Sequence, residues 1–225
     1  MTTYLLVGKF DLCISTYKFI EITETMSTQE KIIQLTNTLV QQRGFQGFSY
    51  ADLEAGIGIR KASIHHHFPS KTDLGLAYCD YKTQQFQELA AALRQLPAGV
   101  PRLKGYLDAF ADCAAQGQMC GAYAMLTDSH LLLPELQIAV YRLAQTEQHL
   151  LQDILATGQH SKQLHLAQPP AAMAMVVSSA LKGALLLNRV PPHAAYADAV
   201  TTIIRWLSAD TASSHPTPHP NQETS

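Results

Sequence analysis

Apolar residues recur at helical spacing from residue 28 to residue 207, and this pattern predicts a chain built from helices. In the first helix, residues 28–43, Ile32, Leu39 and Val40 share one face, and Gly44 ends it. Further helices are predicted at residues 71–96, 102–116, 120–129, 134–157, 170–188 and 191–207. The sequence therefore predicts an all-α fold.

Two very short helices joined by a tight turn are predicted within the first hundred residues. Ser49 and Asp52 have the spacing of a capping box, which starts a helix. Gly56 and Gly58 then supply the permissive backbone of a turn. The second helix, residues 60–67, ends before a proline. This arrangement is a helix-turn-helix, whose second helix commonly enters the major groove of DNA.

Local charge favours a nucleic-acid partner for this unit. Residues 55–72 contain no acidic residue, whereas Arg60, Lys61 and Lys71 are basic and three histidines accompany them. The whole chain has a net charge of −2, so only the local basic run supports DNA binding.

A longer run of residues identifies the unit more closely. The segment Ala-Gly-Ile-Gly-Ile-Arg-Lys-Ala-Ser-Ile-His-His-His-Phe-Pro-Ser-Lys-Thr-Asp-Leu, residues 55–74, resembles the signature of TetR-type (TetR/AcrR) transcriptional regulators. The resemblance extends over about residues 28–78, and beyond them the chain matches in helical layout only. It implies an N-terminal three-helix DNA-binding domain, followed by a C-terminal helical bundle that binds an effector and dimerises.

The expected domain organisation follows from these segments. Met26-Ser27-Thr28 has the form of a natural beginning for such a protein. The final residues are rich in Ser, Thr, Pro and His, which is typical of disorder. We expect an extension at 1–25, possibly disordered or upstream of the true start, a DNA-binding domain at 26–82 with the helix-turn-helix at about 49–68, an effector-binding and dimerisation domain at 83–209, and a disordered tail at 210–225.

The resemblance also implies which side chains contact DNA. His65 stands where the family often has a tyrosine that touches a phosphate, and a neutral histidine can still donate one hydrogen bond there. The alternative for each residue is a solvated or capping side chain. The candidates are Ser49, Tyr50, Arg60, Lys61, Ser63, His65, His66 and Lys71.

Cys120 is a candidate sensor in the second domain. It lies at the start of a predicted helix, where the helix dipole can lower the pKa of a thiol. Some family members that sense electrophiles or oxidants look similar here, and Cys113 is a possible second thiol. The alternative is a small buried core residue. A non-covalent effector would instead bind between the central helices, where the candidate lining residues, which also suit a plain core, are Tyr106, Phe110, Met119, Tyr123 and Met125.

The last two helices are the predicted dimer interface. Small residues such as Ser178, Ser179 and Gly183 permit close approach of a second helix. A four-helix contact with a second copy would match the symmetry of a palindromic operator. The alternative is that these apolar faces close the core of the monomer. The residues involved are Met173, Val176, Val177, Ala180, Leu181, Ala184 and Leu185, with Ala199, Val200, Ile203, Ile204 and Trp206.

Composition narrows the remaining classes of function. The chain is 47% hydrophobic and 15% charged, which leaves apolar surface to be covered, partly in a subunit interface. Four cysteines without CxxC spacing favour reduced thiols in a cytoplasmic protein. No apolar run is judged to reach the roughly 18 residues of a membrane span. Three consecutive helical histidines cannot converge on one metal ion, so neither a metal nor a cofactor is expected.

The sequence thus predicts a DNA-binding transcriptional regulator rather than an enzyme. It would repress by occupying a palindromic operator as a dimer, and a small-molecule or thiol-reactive effector would release it. Two alternatives are a helical dimeric interaction module without DNA binding and a thiol-dependent enzyme using Cys120 with His130.

Overall fold

A computed structural model describes residues 26–208, which form helices throughout and contain no strand. The all-α prediction is confirmed, whereas the predicted extension at 1–25 and the tail at 210–225 lie outside the described residues. The helices are α1 (Thr28–Arg43), α2 (Tyr50–Ile57), α3 (Lys61–His67), α4 (Lys71–Arg94), α5 (Val100–Asp108), α6 (Ala111–Ala115), α7 (Gly121–Thr127), α8 (Pro134–His160), α9 (Pro170–Leu187) and α10 (Ala195–Leu207), with a 3₁₀ turn at Ser129–Leu131.

Capping side chains define where the N-terminal helices start. Ser27, Ser49 and Ser70 precede α1, α2 and α4, and each pairs with an acidic residue three positions later in a capping box. These are the starts that the sequence predicts, because a capping box depends only on residues close together in the chain.

Two predicted helices differ from the structure. The segment 102–116 divides into α5 and α6, because the backbone at Phe110 (φ −107°, ψ 2°) leaves the helical region. No glycine or proline marks this break. The last helix starts at Ala195 rather than residue 191, and the Asn188 side chain accepts the N–H of Tyr196 at 3.2 Å, which satisfies a donor in its first turn.

Helices α8 and α9 form the centre of the C-terminal bundle, with α4 and α10 packed against them. Helix α4 begins beside α3 and continues to Arg94, so the predicted domain boundary at residues 82–83 falls inside one continuous helix. This helix joins the first three helices, here called the head, to the remaining helices, here called the body.

Helix α9 corrects the expectation that no apolar run is as long as a membrane span. Its 18 residues have a mean hydropathy of 1.6, so by length and composition alone it passes as a membrane-spanning segment, although 44% of it is buried inside the protein. Its inner side packs on α8 and α10 and includes the buried, charged Lys182. Its composition reflects two apolar faces, one inward and one exposed.

The head and the body meet at a seam of buried polar groups on α1. The Tyr78 hydroxyl donates to Asn37 Oδ1 at 3.1 Å, and the backbone N–H of Met119 donates to Gln41 O at 3.2 Å. Both Asn37 and Gln41 are buried. These buried hydrogen bonds hold the head against the body. The α1 seam is defined by Asn37, Gln41, Tyr78 and Met119.

Candidate DNA-binding surface and effector site

Helices α2 and α3 are held as a rigid pair. Gly58 adopts the left-handed conformation (φ 77°, ψ 21°), and its N–H donates to Glu54 O at 2.9 Å, which ends α2. The Glu54 carboxylate then accepts the N–H of Lys61 at 3.2 Å at the start of α3. Leu53 and Ile64 are both fully buried between the helices. These contacts make the helix-turn-helix that the sequence predicts.

Tyr50 has a structural position that does not favour its predicted role as a phosphate contact. Its side chain is buried, and its hydroxyl lies 2.8 Å from Phe68 O and 2.7 Å from Ser70 O. Burial raises the pKa of the Tyr50 hydroxyl to about 12, and the Asp73 carboxylate adds to this shift. Tyr50 therefore fastens the start of α2 to the turn between α3 and α4.

Lys71 is also directed inward. Its Nζ donates to Phe48 O at 2.5 Å and lies 4.5 Å and 5.1 Å from the ring centroids of Phe48 and Phe45. Burial lowers the pKa of Lys71, and the carboxylates of Asp128 and Asp52 oppose that shift. This position does not favour the phosphate contact predicted for Lys71, because the ammonium already serves the packing of the head.

The outer face of α3 carries most of the remaining candidates. Lys61, His65 and His66 are exposed on one side of the helix, Arg60 is exposed at its N-cap, and Ser63 is half-buried. Lys61 and His65 are one helical turn apart, so they project from the same strip of surface. The structure thus places these predicted residues together on the face turned away from the core.

The His65 ring is held in one orientation. Its Nδ1 lies 3.2 Å from the carbonyl oxygen of Pro69, and its centroid lies 4.7 Å from that of the Tyr50 ring. A carbonyl oxygen can only accept, so Nδ1 carries the hydrogen in this contact. Nε2 is left on the opposite edge of the ring.

Ser49 is exposed, but its hydroxyl is already engaged. It donates to Asp52 Oδ2 at 2.7 Å, and the same carboxylate forms an ion pair with Arg43 at 3.1 Å. The phosphate contact proposed for Ser49 remains a prediction, and its hydroxyl would have to leave the capping box to make that contact.

A buried polar cluster occupies the body. Glu147 is fully buried and accepts from the Tyr106 hydroxyl, from Ser178 Oγ at 3.2 Å and from Lys182 Nζ at 3.1 Å. Lys182 is 4% exposed, and its Nζ lies 3.4 Å from the ring centroid of Phe110. The buried cluster, defined by Glu147, Lys182, Tyr106, Ser178 and Phe110, joins α5, α8 and α9.

Burial controls the protonation of the groups near this cluster. It raises the pKa of Tyr106 well above its usual value, and the Glu147 carboxylate adds to the shift, so Tyr106 stays a hydroxyl donor. Nearby Lys82 is also fully buried, and burial lowers its pKa to about 8. Burial at the centre of the body therefore favours the neutral form of both Tyr106 and Lys82.

The candidate effector residues fall into two groups. Tyr106 and Phe110 belong to the buried cluster, and Tyr123 joins it through a 2.8 Å hydrogen bond to Ser178 Oγ. Met119 and Met125 are also buried, and the backbone N–H of Met119 donates to Gln41 O on α1.

The cysteines are poorly placed for reaction with a thiol reagent. Cys120 is buried at the N-cap of α7, and Cys79 is likewise free and buried. Cys113 is fully buried and disulfide-bonded, so the prediction of reduced thiols and of a second sensing thiol is wrong for this residue. His130 is exposed whereas Cys120 is not, and no contact between them is found within residues 26–208. The sensing role of Cys120 stays a prediction.

Known proteins resemble this chain in the sequence of the head and in the fold of the head and body. Residues 32–78 match the model of a family described as bacterial regulatory proteins, tetR family. A TetR family transcriptional regulator from Agrobacterium tumefaciens superimposes with a TM-score of 0.74 at 27% identity, covering 80% of this chain and 97% of that one. The chain is thus similar to the tetR family over residues 32–78 and, across the described fold, to a solved TetR family regulator.

Two further proteins are similar to this chain, one in sequence over a short segment and one in fold. The HTH-type transcriptional regulator CymR of Pseudomonas putida is 33% identical over 67 residues, which span 30% of this chain and 33% of that protein. A TetR regulator from Legionella pneumophila has the same fold, with a TM-score of 0.73 at 24% identity over 81% of this chain and 97% of that one.

Sequence reasoning missed the charged half of the buried cluster, Glu147 and Lys182. Glu147 continues the apolar stripe of α8, one turn from Leu143 and from Leu150, so its position predicts burial. Lys182 is the one charged residue within α9, where a polar face is otherwise missing. A charge on an apolar stripe was the signal that could have found both residues.

No group of three or more His, Cys, Asp or Glu residues is placed to hold a metal ion in the part of the chain that the structure describes. In particular, the ring centroids of His66 and His67 are 5.5 Å apart and the rings lie edge to face, an aromatic contact.

Proposed function

We propose that this protein is a TetR family transcriptional repressor that binds a palindromic DNA operator as a dimer. The outer face of α3 carries the proposal, because it presents Arg60, Lys61, His65 and His66 on a helix whose other side is locked to the head. Cations there would contact phosphates, and polar side chains would read base edges. The protein would act in the cytoplasm, where bacterial DNA lies.

A second copy would pack on α9 and α10. The exposed side of α9 carries Met175, Val176, Leu186 and Leu187, which are 49–65% exposed, and small residues lie between them. Burial of such a stripe stabilises association by the hydrophobic effect. The structure divides the residues first assigned to this interface: Met173, Val177, Leu181, Ala184, Leu185 and Ile203 face inward in the protomer, whereas Val176, Ala180 and Trp206 are exposed.

The effector site would lie at the buried cluster. A ligand entering there would compete with or rearrange the Glu147–Lys182 pair and the aromatic rings around it. Because α8 packs on α4, and α4 enters the head, such a change would alter the spacing of the two recognition helices. Release from DNA requires that the effector bind the two conformations with different affinity.

The test of the proposed function is binding of the pure protein to the intergenic DNA upstream of its own gene. Specific binding is expected, and it should weaken steeply as salt concentration rises. Non-specific DNA of equal length is the control. Absence of specific binding to this DNA and to a library of random duplexes would contradict the proposed function and favour an interaction module.

Lys61→Ala should weaken operator binding and reduce its dependence on salt. Each lost phosphate contact weakens binding to all sequences and lowers the slope of log affinity against log salt by about one, so a dimer should lose about two. Fluorescence anisotropy at several salt concentrations measures both quantities. Lys104→Ala, which removes a lysine paired with Asp108 on α5, is the matched control and should change neither. An unchanged slope for Lys61→Ala would remove α3 from the DNA interface.

A further inference from the structure

We propose that His65 couples operator binding to the uptake of a proton, so that this protein binds DNA more tightly as the pH falls. The inference rests on the proposed DNA-binding function and adds a regulatory property to the same surface. Its basis is the fixed orientation of one imidazole on the exposed face of α3.

The hydrogen bond at Nδ1 decides what the other nitrogen can do. Nδ1–H donates to Pro69 O at 3.2 Å, and the Tyr50 ring packs on the imidazole with a 4.7 Å centroid distance. A neutral histidine carries only one N–H, so Nε2 of His65 then has a lone pair and can only accept. A phosphate oxygen is also an acceptor. Neutral His65 therefore cannot hydrogen-bond a phosphate without giving up Pro69.

A protonated His65 removes this conflict. The imidazolium has N–H groups on both nitrogens, so it keeps the Pro69 contact and donates from Nε2 to a phosphate with charge assistance. Lys61 lies one turn earlier on the same exposed strip, so both cations would face the same backbone. The DNA complex would thus favour the protonated form, and by linkage binding takes up a proton.

The titratable and charged groups around His65 lie on α2, α3 and α4. On α2, Tyr50 has its pKa raised to about 12 by burial and then by Asp73, so it stays neutral at physiological pH. On α4, the Asp73 carboxylate accepts the N–H at the N-cap of that helix at 2.9 Å, and Lys71 points to Phe48. On α3 itself, Lys61 and His66 are exposed neighbours. Within residues 26–208 no carboxylate forms an ion pair with His65.

The direction of the effect follows from the proton count. The contact is present at low pH and is lost as the pH rises and His65 becomes neutral in the complex. Within the pH range in which histidines titrate, about 5–8, affinity should fall by up to about tenfold per pH unit for each linked His65. With one His65 in each copy, a dimer could approach about a hundredfold per unit.

The experiment measures operator affinity of the full-length protein from pH 5.5 to 8.5 at constant ionic strength, with proton uptake taken from calorimetry in buffers of different ionisation enthalpy. His65→Gln supplies a side-chain amide whose N–H donates at every pH, so its operator affinity should lose most of the pH slope. His149→Gln, which changes an exposed histidine on α8 outside the proposed DNA surface, is the matched control and should keep the slope of the parent protein.

The possible outcomes separate the two proposals. Operator binding with a pH slope that disappears in His65→Gln supports the coupling. Operator binding without a slope, or with one that His65→Gln retains or His149→Gln abolishes, overturns the coupling and leaves the DNA-binding function intact. Absence of specific binding at every pH overturns both.

Discussion

Lys182→Met is expected to destabilise the protein by about 3–5 kcal/mol, because it leaves a buried carboxylate without its counter-charge. Glu147 is fully buried, and Lys182 is the cation that the structure places on it, at 3.1 Å. The hydrogen bonds from Tyr106 and Ser178 would remain, but they carry no positive charge. Urea unfolding followed by circular dichroism, at one protein concentration, measures the loss.

The double variant Glu147→Leu with Lys182→Met separates the charge from the packing. Replacing a buried ion pair by apolar side chains of similar volume is commonly neutral or stabilising, so most of the lost stability should return. Lys104→Ala breaks an exposed pair, Lys104–Asp108, and should change stability by less than about 1 kcal/mol. If Lys182→Met costs as little as this control, the pair is not buried in solution as described.

Gly183→Leu is expected to separate the dimer while leaving each protomer folded. A Cβ atom added at Gly183 meets nothing within 4 Å in the protomer, and leucine favours a helix over glycine by about 1 kcal/mol. Against a closely packed second α9, the added side chain would be overpacked at about 1–3 kcal/mol. Two-fold symmetry makes each copy contribute one such clash.

The dimer should therefore dissociate roughly 30-fold or more readily, and operator affinity should fall with it, since both half-sites need a head. Sedimentation velocity over a concentration series and operator binding measure the two effects. Ala91→Leu adds similar bulk at an exposed position on α4 and should alter neither. A Gly183→Leu protein that stays dimeric at the parent's concentrations would exclude the outer face of α9 as the interface.

The elements that sequence alone predicts best are those with local signals. Helix α1 spans the predicted residues, and α2 and α4 begin where their capping serines predict. Each of these signals involves residues within a few positions of one another, so no knowledge of the rest of the fold is needed.

The candidate DNA surface was predictable in part, because solvent exposure depends on the whole head. Lys61, His65 and His66 lie outward, whereas Ile64 on the same short helix is buried. Tyrosine is a residue type that can contact DNA, yet the Tyr50 hydroxyl lies between the carbonyl oxygens of Phe68 and Ser70, which are 18 and 20 positions later in the chain.

The effector region was harder to predict for the same reason. The aromatic residues Tyr106 and Phe110 were identified as candidates, but the charges that they surround come from α8 and α9, 37 or more positions away from Phe110 along the chain. The break between α5 and α6 likewise has no glycine or proline to mark it. Both features depend on contacts between elements remote in sequence.

The α1 seam bears on how this protein could be re-engineered. A regulator whose head is joined by one flexible linker could exchange that head for another and gain a new operator. Here the Tyr78 hydroxyl and the backbone N–H of Met119 would lose their acceptors on α1, and each orphaned polar group costs about 1–3 kcal/mol. A chimaera with a foreign head should therefore fold stably only if the incoming α1 places a side-chain acceptor against Tyr78 and a backbone carbonyl against the turn before α7.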